Sequence, residues 1–232
     1  MARQTVIGVL GGMGPAATAS FFQNIIQQTT DIHCDQDHFR VVIDSHPQIP
    51  DRTEAILHKG PSPLDALMES VQLLERAGCD LIAIPCMTCH YYIDTLQAQS
   101  SVKILNAYQV LNRFLENKYP SMEKVGVMCT DGTRKIDLFS HHLSKQVIYP
   151  NRDYQEKVME AIYGPEGIKN GHVGTYPNQL LKEAGHHLID EGAQAIIAGC
   201  TEIELATGQA DYSVEFIDPM KLLVDYIVKN YQ

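Results

Sequence analysis

The sequence lacks a long hydrophobic run and a cluster of basic residues, and each absence excludes a class of protein. No window reaches the roughly 18 apolar residues that a membrane-spanning helix needs, so no membrane partner is expected. The 232 residues carry a formal net charge of -10, with a pI of about 5.4. Without a basic patch to neutralise phosphates, nucleic acid is not an expected partner either.

Cysteine is also scarce. Six cysteines in 232 residues are too few for a disulfide scaffold, so free thiols in a reducing cytosol are expected. The first residues show no signal-peptide pattern, which favours a cytoplasmic location. The composition, 44% hydrophobic and 20% charged, is typical of a globular protein.

The string Cys86-Met87-Thr88-Cys89-His90 has the C-x-x-C-H spacing of a c-type haem attachment site. Its C-x-x-C pair also occurs in redox and zinc sites. Haem attachment normally requires export, and zinc would need a second ligand pair that the sequence does not contain. We therefore expect neither a cofactor nor a metal here.

Short apolar runs alternate with amphipathic stretches, which predicts an α/β fold with parallel sheets. Helix signals are clearest over 63–77, with Ser62 as N-cap, Pro63 at the first helical position and Gly78 after the end. The stretch 164–177 contains four glycines and predicts a long loop, a candidate lid. The predicted strands are 5–10, 39–44, 80–85, 102–106, 124–129, 146–150, 193–200 and 214–218.

The two halves of the chain echo each other. VIGVLGGMGP near the start resembles VGVMCTDGT at 125–133, and AGCDLIAIPC at 77–86 resembles EGAQAIIAGC at 191–200. This predicts two pseudo-symmetric Rossmann-like lobes with the active site in the cleft between them. We expect the first lobe at 1–112 together with 210–232, and the second lobe at 113–209.

Cys86 and Cys200 end the two matching stretches, each after a predicted buried strand. Ligands of α/β proteins bind at that end of the sheet, and a helix that begins there would lower a thiol pKa. Either cysteine alone is better explained as a buried packing residue, but the repeated placement in both halves favours a function. Two matched thiols suit the inversion of a stereocentre, in which one removes a proton and the other delivers one.

These residues belong to a wider set of motifs: GGMGP (11–15), PQIPDRT (47–53), PCMTCH (85–90), GIKNG (167–171) and GCTEI (199–203). With them the chain resembles, over nearly its whole length, the PLP-independent aspartate/glutamate racemase superfamily. Glu202 rather than His follows Thr201, which favours the aspartate branch. The resemblance implies a cofactor-free homodimer that interconverts L- and D-aspartate, an acidic amino acid substrate. Cys200 would take the α-proton of the L-isomer and Cys86 that of the D-isomer.

The resemblance also implies the substrate contacts. Arg52 and Lys169 would hold substrate carboxylates, although Arg52 could pair with Asp51 or Glu54, and Lys169 could be a solvated loop residue. Met87 stands where the family usually has Asn, and its thioether is only a weak acceptor. The candidate substrate-binding residues are Met13, Arg52, Met87, Thr88, Thr130, Thr133, Lys169, Thr201 and Glu202.

Three alternatives remain open. A glutamate or broad-specificity racemase is the nearest. Gly12-x-Gly14-x-x-Ala17 also fits a dinucleotide fingerprint with Asp44 as its acid, which would indicate an NAD(P)-binding oxidoreductase, though Pro15 and the spacing to Asp44 fit poorly. The third is a non-catalytic binding protein on a racemase scaffold, which Met87 makes credible.

Overall fold

The computed structural model describes residues 4–232, which form two compact units. One unit runs up to Ala107 and includes Met220–Gln232, and the other is Tyr108–Pro219. The sequence predicts boundaries at 112/113 and 209/210, whereas these units divide at 107/108 and 219/220. The difference arises because residues 107–118 form one helix and because a strand at 215–217 pairs within the second unit.

Each unit contains a four-stranded sheet in which every pairing is parallel. The sheet orders are β2-β1-β3-β4 and β6-β5-β7-β8, the same order in both units. These findings confirm the predicted α/β class and all eight predicted strands, most of them shorter than expected. The strands are β1 (Val6–Gly11), β2 (Arg40–Ser45), β3 (Leu81–Ala83), β4 (Lys103–Ile104), β5 (Lys124–Met128), β6 (Gln146–Ile148), β7 (Ala195–Ala198) and β8 (Glu215–Ile217).

Helices connect the strands. The helix predicted over 63–77 begins one residue later, at Leu64, with Pro63 as N-cap, while Ser62 Oγ accepts from the Leu64 N–H at 3.3 Å. Gly78 follows with a φ of +77°, as predicted. The helices are α1 (Pro15–Gln28), α2 (Arg52–Ile56), α3 (Leu64–Arg76), α4 (Ile93–Gln97), α5 (Ala107–Lys118), α6 (Asp131–Lys135), α7 (Leu138–His142), α8 (Arg152–Tyr163), α9 (Thr175–Asp190), α10 (Ile203–Ala206) and α11 (Pro219–Tyr231).

The loop predicted over 164–177 is shorter than expected. A 3-10 turn at Ile168–Asn170 interrupts it, and α9 already begins at Thr175. The turn closes on itself because the Asn170 side chain donates to the Gly164 carbonyl at 2.8 Å and the Gly167 N–H donates to the same carbonyl. This closure gives Lys169 a defined position.

Each unit has its own core. Side chains of the central strands β1 and β7 are fully buried, as continuous apolar runs predict for parallel strands covered on both faces. Cys86 belongs to the core cluster of the first unit and Cys200 to that of the second. Within residues 4–232, no helix combines the length and apolar character needed to cross a membrane.

Candidate active site

Cys86 lies just beyond β3 in the first unit and is buried. The buried ring of His90 holds its main chain: His90 Nδ1 lies 2.9 Å from the Cys86 carbonyl oxygen, and His90 Nε2 accepts from the Ala107 N–H at 3.1 Å. Because Nε2 accepts a hydrogen bond from an N–H group, it carries a lone pair and no proton. The ring is therefore neutral, and its one proton is on Nδ1, which donates to the Cys86 carbonyl oxygen. The sequence did not reveal this role, because Ala107 is 17 residues away from His90.

We expect His90→Leu to lower the free energy of unfolding by about 1–3 kcal/mol, because a buried Ala107 N–H and a buried Cys86 carbonyl lose their partner. His33→Leu, which changes an exposed histidine of the same unit, should stay within about 0.5 kcal/mol of the wild type. Urea unfolding measures both. In the wild type, nitrogen-15 NMR should show His90 protonated at Nδ1; a proton on Nε2 would contradict the assignment.

Cys89, the second cysteine of the C-x-x-C string, is fully buried in a 3-10 turn at Thr88–Tyr92. Burial raises the pKa of its thiol well above the usual value, and the nearby Cys86 thiol raises it further, while the positive charge of Arg52 opposes both effects. Cys89 therefore packs as a protonated, apolar group. Across residues 4–232 there is no cluster of three His, Cys, Asp or Glu side chains that could hold a metal ion.

The glycine turn after β1 packs against the segment after β2. Gly12 has a φ of +87°, and a Cβ atom on it would lie 2.4 Å from the main chain of His46. Its N–H donates to Thr18 Oγ1 at 2.9 Å. Packing within the chain thus explains why a glycine is needed at position 12, without a bound dinucleotide. Met13, the next residue, is buried.

Arg52, at the start of α2, is buried, with 7% of its surface exposed. Its Nη1 donates to the carbonyls of Ile49 and Pro50 at 3.2 and 3.0 Å, and its Nη2 donates to the Met13 carbonyl at 3.3 Å. The guanidinium therefore joins the PQIPDRT segment to the glycine turn. Arg52, Met13 and Cys86, all predicted site residues, belong to the same unit, together with the buried Met87 and Thr88.

In the second unit, Cys200 follows β7 and is 6% exposed. Its Sγ donates to Glu202 Oε2 at 3.0 Å, and Thr201 Oγ1 donates to the same oxygen at 3.2 Å. The other oxygen, Glu202 Oε1, forms an ion pair with Lys169 Nζ at 2.9 Å. The structure thus brings these four predicted site residues into one cluster.

Burial raises the pKa of the Cys200 thiol well above its usual value, and the Glu202 carboxylate raises it further, against the opposing charge of Lys169. The lowered pKa expected from a following helix is wrong for Cys200, because α10 spans only four residues and a buried carboxylate lies beside the sulfur. Burial also acts to raise the pKa of Glu202, but Lys169 and the hydrogen bond from Cys200 outweigh it, so that this pKa is lowered.

Thr130 and Thr133 lie beyond β5, the strand that pairs with β7. Thr130 is the N-cap of α6, and its Oγ1 lies 3.3 Å from Thr133 Oγ1. Both residues are buried. Gln155, which sequence reasoning missed, donates to the Cys129 carbonyl at 3.0 Å and so fixes the chain before this turn.

The chain matches a known family. Residues 10–227 match the model of the Asp/Glu/Hydantoin racemase family, and the chain belongs to this family, among the amino acid racemases. It is 24% identical to the broad specificity amino-acid racemase RacX of Bacillus subtilis (strain 168), over 97% of this chain and 98% of that protein.

Two solved structures share the fold. Picrophilus torridus aspartate racemase is 25% identical with a TM-score of 0.85, over 98% of this chain and 94% of that chain. PH1733, an aspartate racemase homologue from Pyrococcus horikoshii OT3, is 22% identical with a TM-score of 0.76, over 97% of this chain and 98% of that chain. The two-lobe racemase fold expected from the sequence motifs is thereby confirmed.

Proposed function

We propose that this racemase interconverts L- and D-aspartate and that Cys86 and Cys200 exchange the roles of acid and base. The supporting observation is topological. Each thiol follows the third strand of its own unit, and in both sheets that strand lies between the first and the fourth. A threonine comes within two residues of each cysteine, Thr88 in one unit and Thr201 in the other. Each unit therefore supplies one thiol in an equivalent setting.

Two thiols are sufficient for inversion at an α-carbon. One thiolate removes the α-proton, the electron pair moves onto the α-carbon and its carboxylate, and the other thiol protonates the opposite face. Carbanion formation is the hard step, so the groups that matter most are those whose contacts strengthen as negative charge develops. We assign this role to Arg52, whose cation is already buried, and to the hydroxyls of Thr88, Thr130, Thr133 and Thr201.

A broad-specificity racemase is the second candidate. Met87 places a buried apolar side chain directly after Cys86, where the family usually has an amide. Without that amide, discrimination between acidic and neutral side chains is expected to weaken. The full-length similarity to a broad-specificity racemase points in the same direction. Glu202 after Thr201 and the similarity to an aspartate racemase support aspartate.

The experiment is racemisation of each enantiomer of aspartate, glutamate and several neutral amino acids by the purified chain in heavy water, without PLP or metal. Chiral chromatography measures inversion and mass spectrometry measures α-deuteration. We expect both aspartate enantiomers to racemise with deuterium incorporation. Racemisation of neutral amino acids at rates comparable to aspartate would favour the second candidate, whereas a lack of deuteration with every substrate would indicate a binding protein. Light scattering on the same sample tests the expected homodimer.

A further inference from the structure

Glu202 is a buried carboxylate placed between a thiol and an ammonium group. Only 3% of its surface is exposed. Oε2 accepts from Cys200 Sγ at 3.0 Å and Oε1 binds Lys169 Nζ at 2.9 Å, so both oxygens are engaged within the second unit. A substrate carboxylate would have to displace one of these partners to reach either group.

Lys169 is held from two sides. Besides its ion pair with Glu202, its ammonium lies 5.4 Å from the centre of the Tyr163 ring, a cation–π arrangement. A buried carboxylate is costly unless a cation compensates it, and Lys169 supplies that compensation. The lysine charge therefore compensates the Glu202 carboxylate.

We propose that Glu202 keeps the Sγ proton on Cys200, so that Cys200 rests as the acid of the thiol pair, and that Lys169 acts as the counter-ion of Glu202. This inference rests on the proposed two-thiol reaction. It adds to the role implied by the family resemblance, in which Lys169 holds a substrate carboxylate and Glu202 contacts the substrate. In this arrangement Glu202 and Lys169 are positioning residues that act through Cys200.

The proton balance is closed in both directions. With the D-isomer, the Cys86 thiolate removes the α-proton and the Cys200 S–H bond breaks to protonate the opposite face, leaving the negative charge on Cys200 Sγ. The enzyme returns to its resting state when solvent takes the proton now on Cys86 and gives one to Cys200 Sγ, where the adjacent Glu202 anion favours the protonated form. The L-isomer follows the same path in reverse. Solvent first takes the Sγ proton and protonates Cys86, the Cys200 thiolate then removes the α-proton, and the Cys86 S–H bond breaks to protonate the opposite face, which leaves Cys86 as the thiolate and Cys200 as the thiol.

The direct test is the alkylation rate of Cys200 with iodoacetamide at neutral pH, followed for each cysteine by mass spectrometry. In Glu202→Gln the neighbouring negative charge is lost while Lys169 remains, so the thiolate fraction rises. We expect Cys200 to react at least about tenfold faster than in the wild type, with Cys86 unchanged. Lys169→Met should slow Cys200 instead. Glu166→Gln, the same chemical change at an exposed loop residue of this unit, should have no effect.

A double variant keeps the test informative if a single variant misfolds. Lys169→Met combined with Glu202→Gln leaves no buried unpaired charge, and Cys200 should still react faster than in the wild type, because Glu202 has the larger effect of the two charges. Glu202→Asp keeps the charge and should keep Cys200 slow. Unchanged Cys200 alkylation in both Gln-containing variants would overturn the inference, as would a Lys169→Met variant that alters only the KM for acidic substrates.

The activity readout separates this inference from the proposed function. With D-aspartate in heavy water, Glu202→Gln should raise the ratio of α-hydrogen exchange with retention to inversion above the wild-type ratio, since a smaller fraction of Cys200 then carries a proton to deliver. An equal ratio in variant and wild type would contradict the inference. A wild-type protein inert on aspartate would overturn the proposed substrate, while the alkylation result would still decide the role of Glu202.

Discussion

Cys200→Ala is expected to lower the rate of racemisation by about 10²–10⁴-fold, the usual contribution of one positioned acid or base. Cys86→Ala should cause a loss of similar size. Because the two enantiomers have equal free energy, kcat/KM must fall equally in both directions in each variant. The measurement is the initial rate from L- and from D-aspartate, followed by circular dichroism.

Hydrogen exchange distinguishes the two thiols even though racemisation does not. In Cys200→Ala the remaining Cys86 should still exchange the α-proton of D-aspartate with solvent, without inversion, and exchange of L-aspartate should be lost. Cys86→Ala should show the reverse pattern. Cys34→Ala removes an exposed thiol and serves as the matched control, with unchanged rates. Full racemase activity in either active-site variant would refute the two-base mechanism.

Gly12→Ala is expected to destabilise the protein by several kcal/mol, the largest stability effect that we predict. Two costs add. The positive φ of +87° disfavours any L side chain by about 1–2 kcal/mol, and the new Cβ would lie 2.4 Å from the His46 main chain. Relief of that overlap requires movement of the backbone between β2 and α2, which overpacked cores tolerate poorly, at roughly 1–3 kcal/mol. Urea unfolding measures the change.

Two other glycines distinguish the cost of the positive φ from the cost of the steric overlap. Gly78 also has a positive φ, +77°, but a Cβ there meets nothing within 4 Å, so Gly78→Ala should cost only about 1–2 kcal/mol. Gly208 has extended backbone and open space, and Gly208→Ala should stay within about 0.5 kcal/mol of the wild type. If Gly12→Ala were no worse than Gly78→Ala, the close approach to His46 would not be a constraint.

Much of the fold could be predicted because the signals are local. Apolar runs marked all eight strands, and Pro63 and Gly78 marked the ends of α3 to within a residue. The repeated strand-to-cysteine pattern led to Cys86 and Cys200 before any packing was known. The unit boundaries were harder, since pairing between β7 and β8 draws the segment before Pro219 into the second unit, and no local pattern states which strand is its neighbour.

The contacts of the site residues were harder to predict from the sequence. His90 completes a haem-like string in the sequence, yet its two ring nitrogens bind main-chain groups of Cys86 and Ala107. Lys169 lies in a glycine-rich loop that reads as solvated, but it pairs with Glu202, 33 residues later. Partners at such separations depend on how the chain closes in space, and periodicity carries no information about that.

The sequence by itself determined the α/β class, the duplicated strand-to-thiol pattern and the family resemblance, because each depends on residue type and spacing along the chain. The tertiary structure alone decided the protonation state of Cys200 and the partners of Glu202 and Lys169. Burial and the Glu202 carboxylate hold the proton on Cys200, although the string after β7 predicts a more acidic thiol. The physical reason is that a pKa depends on the solvent excluded and the charges within a few ångströms, and Lys169 reaches that distance only when the chain has folded.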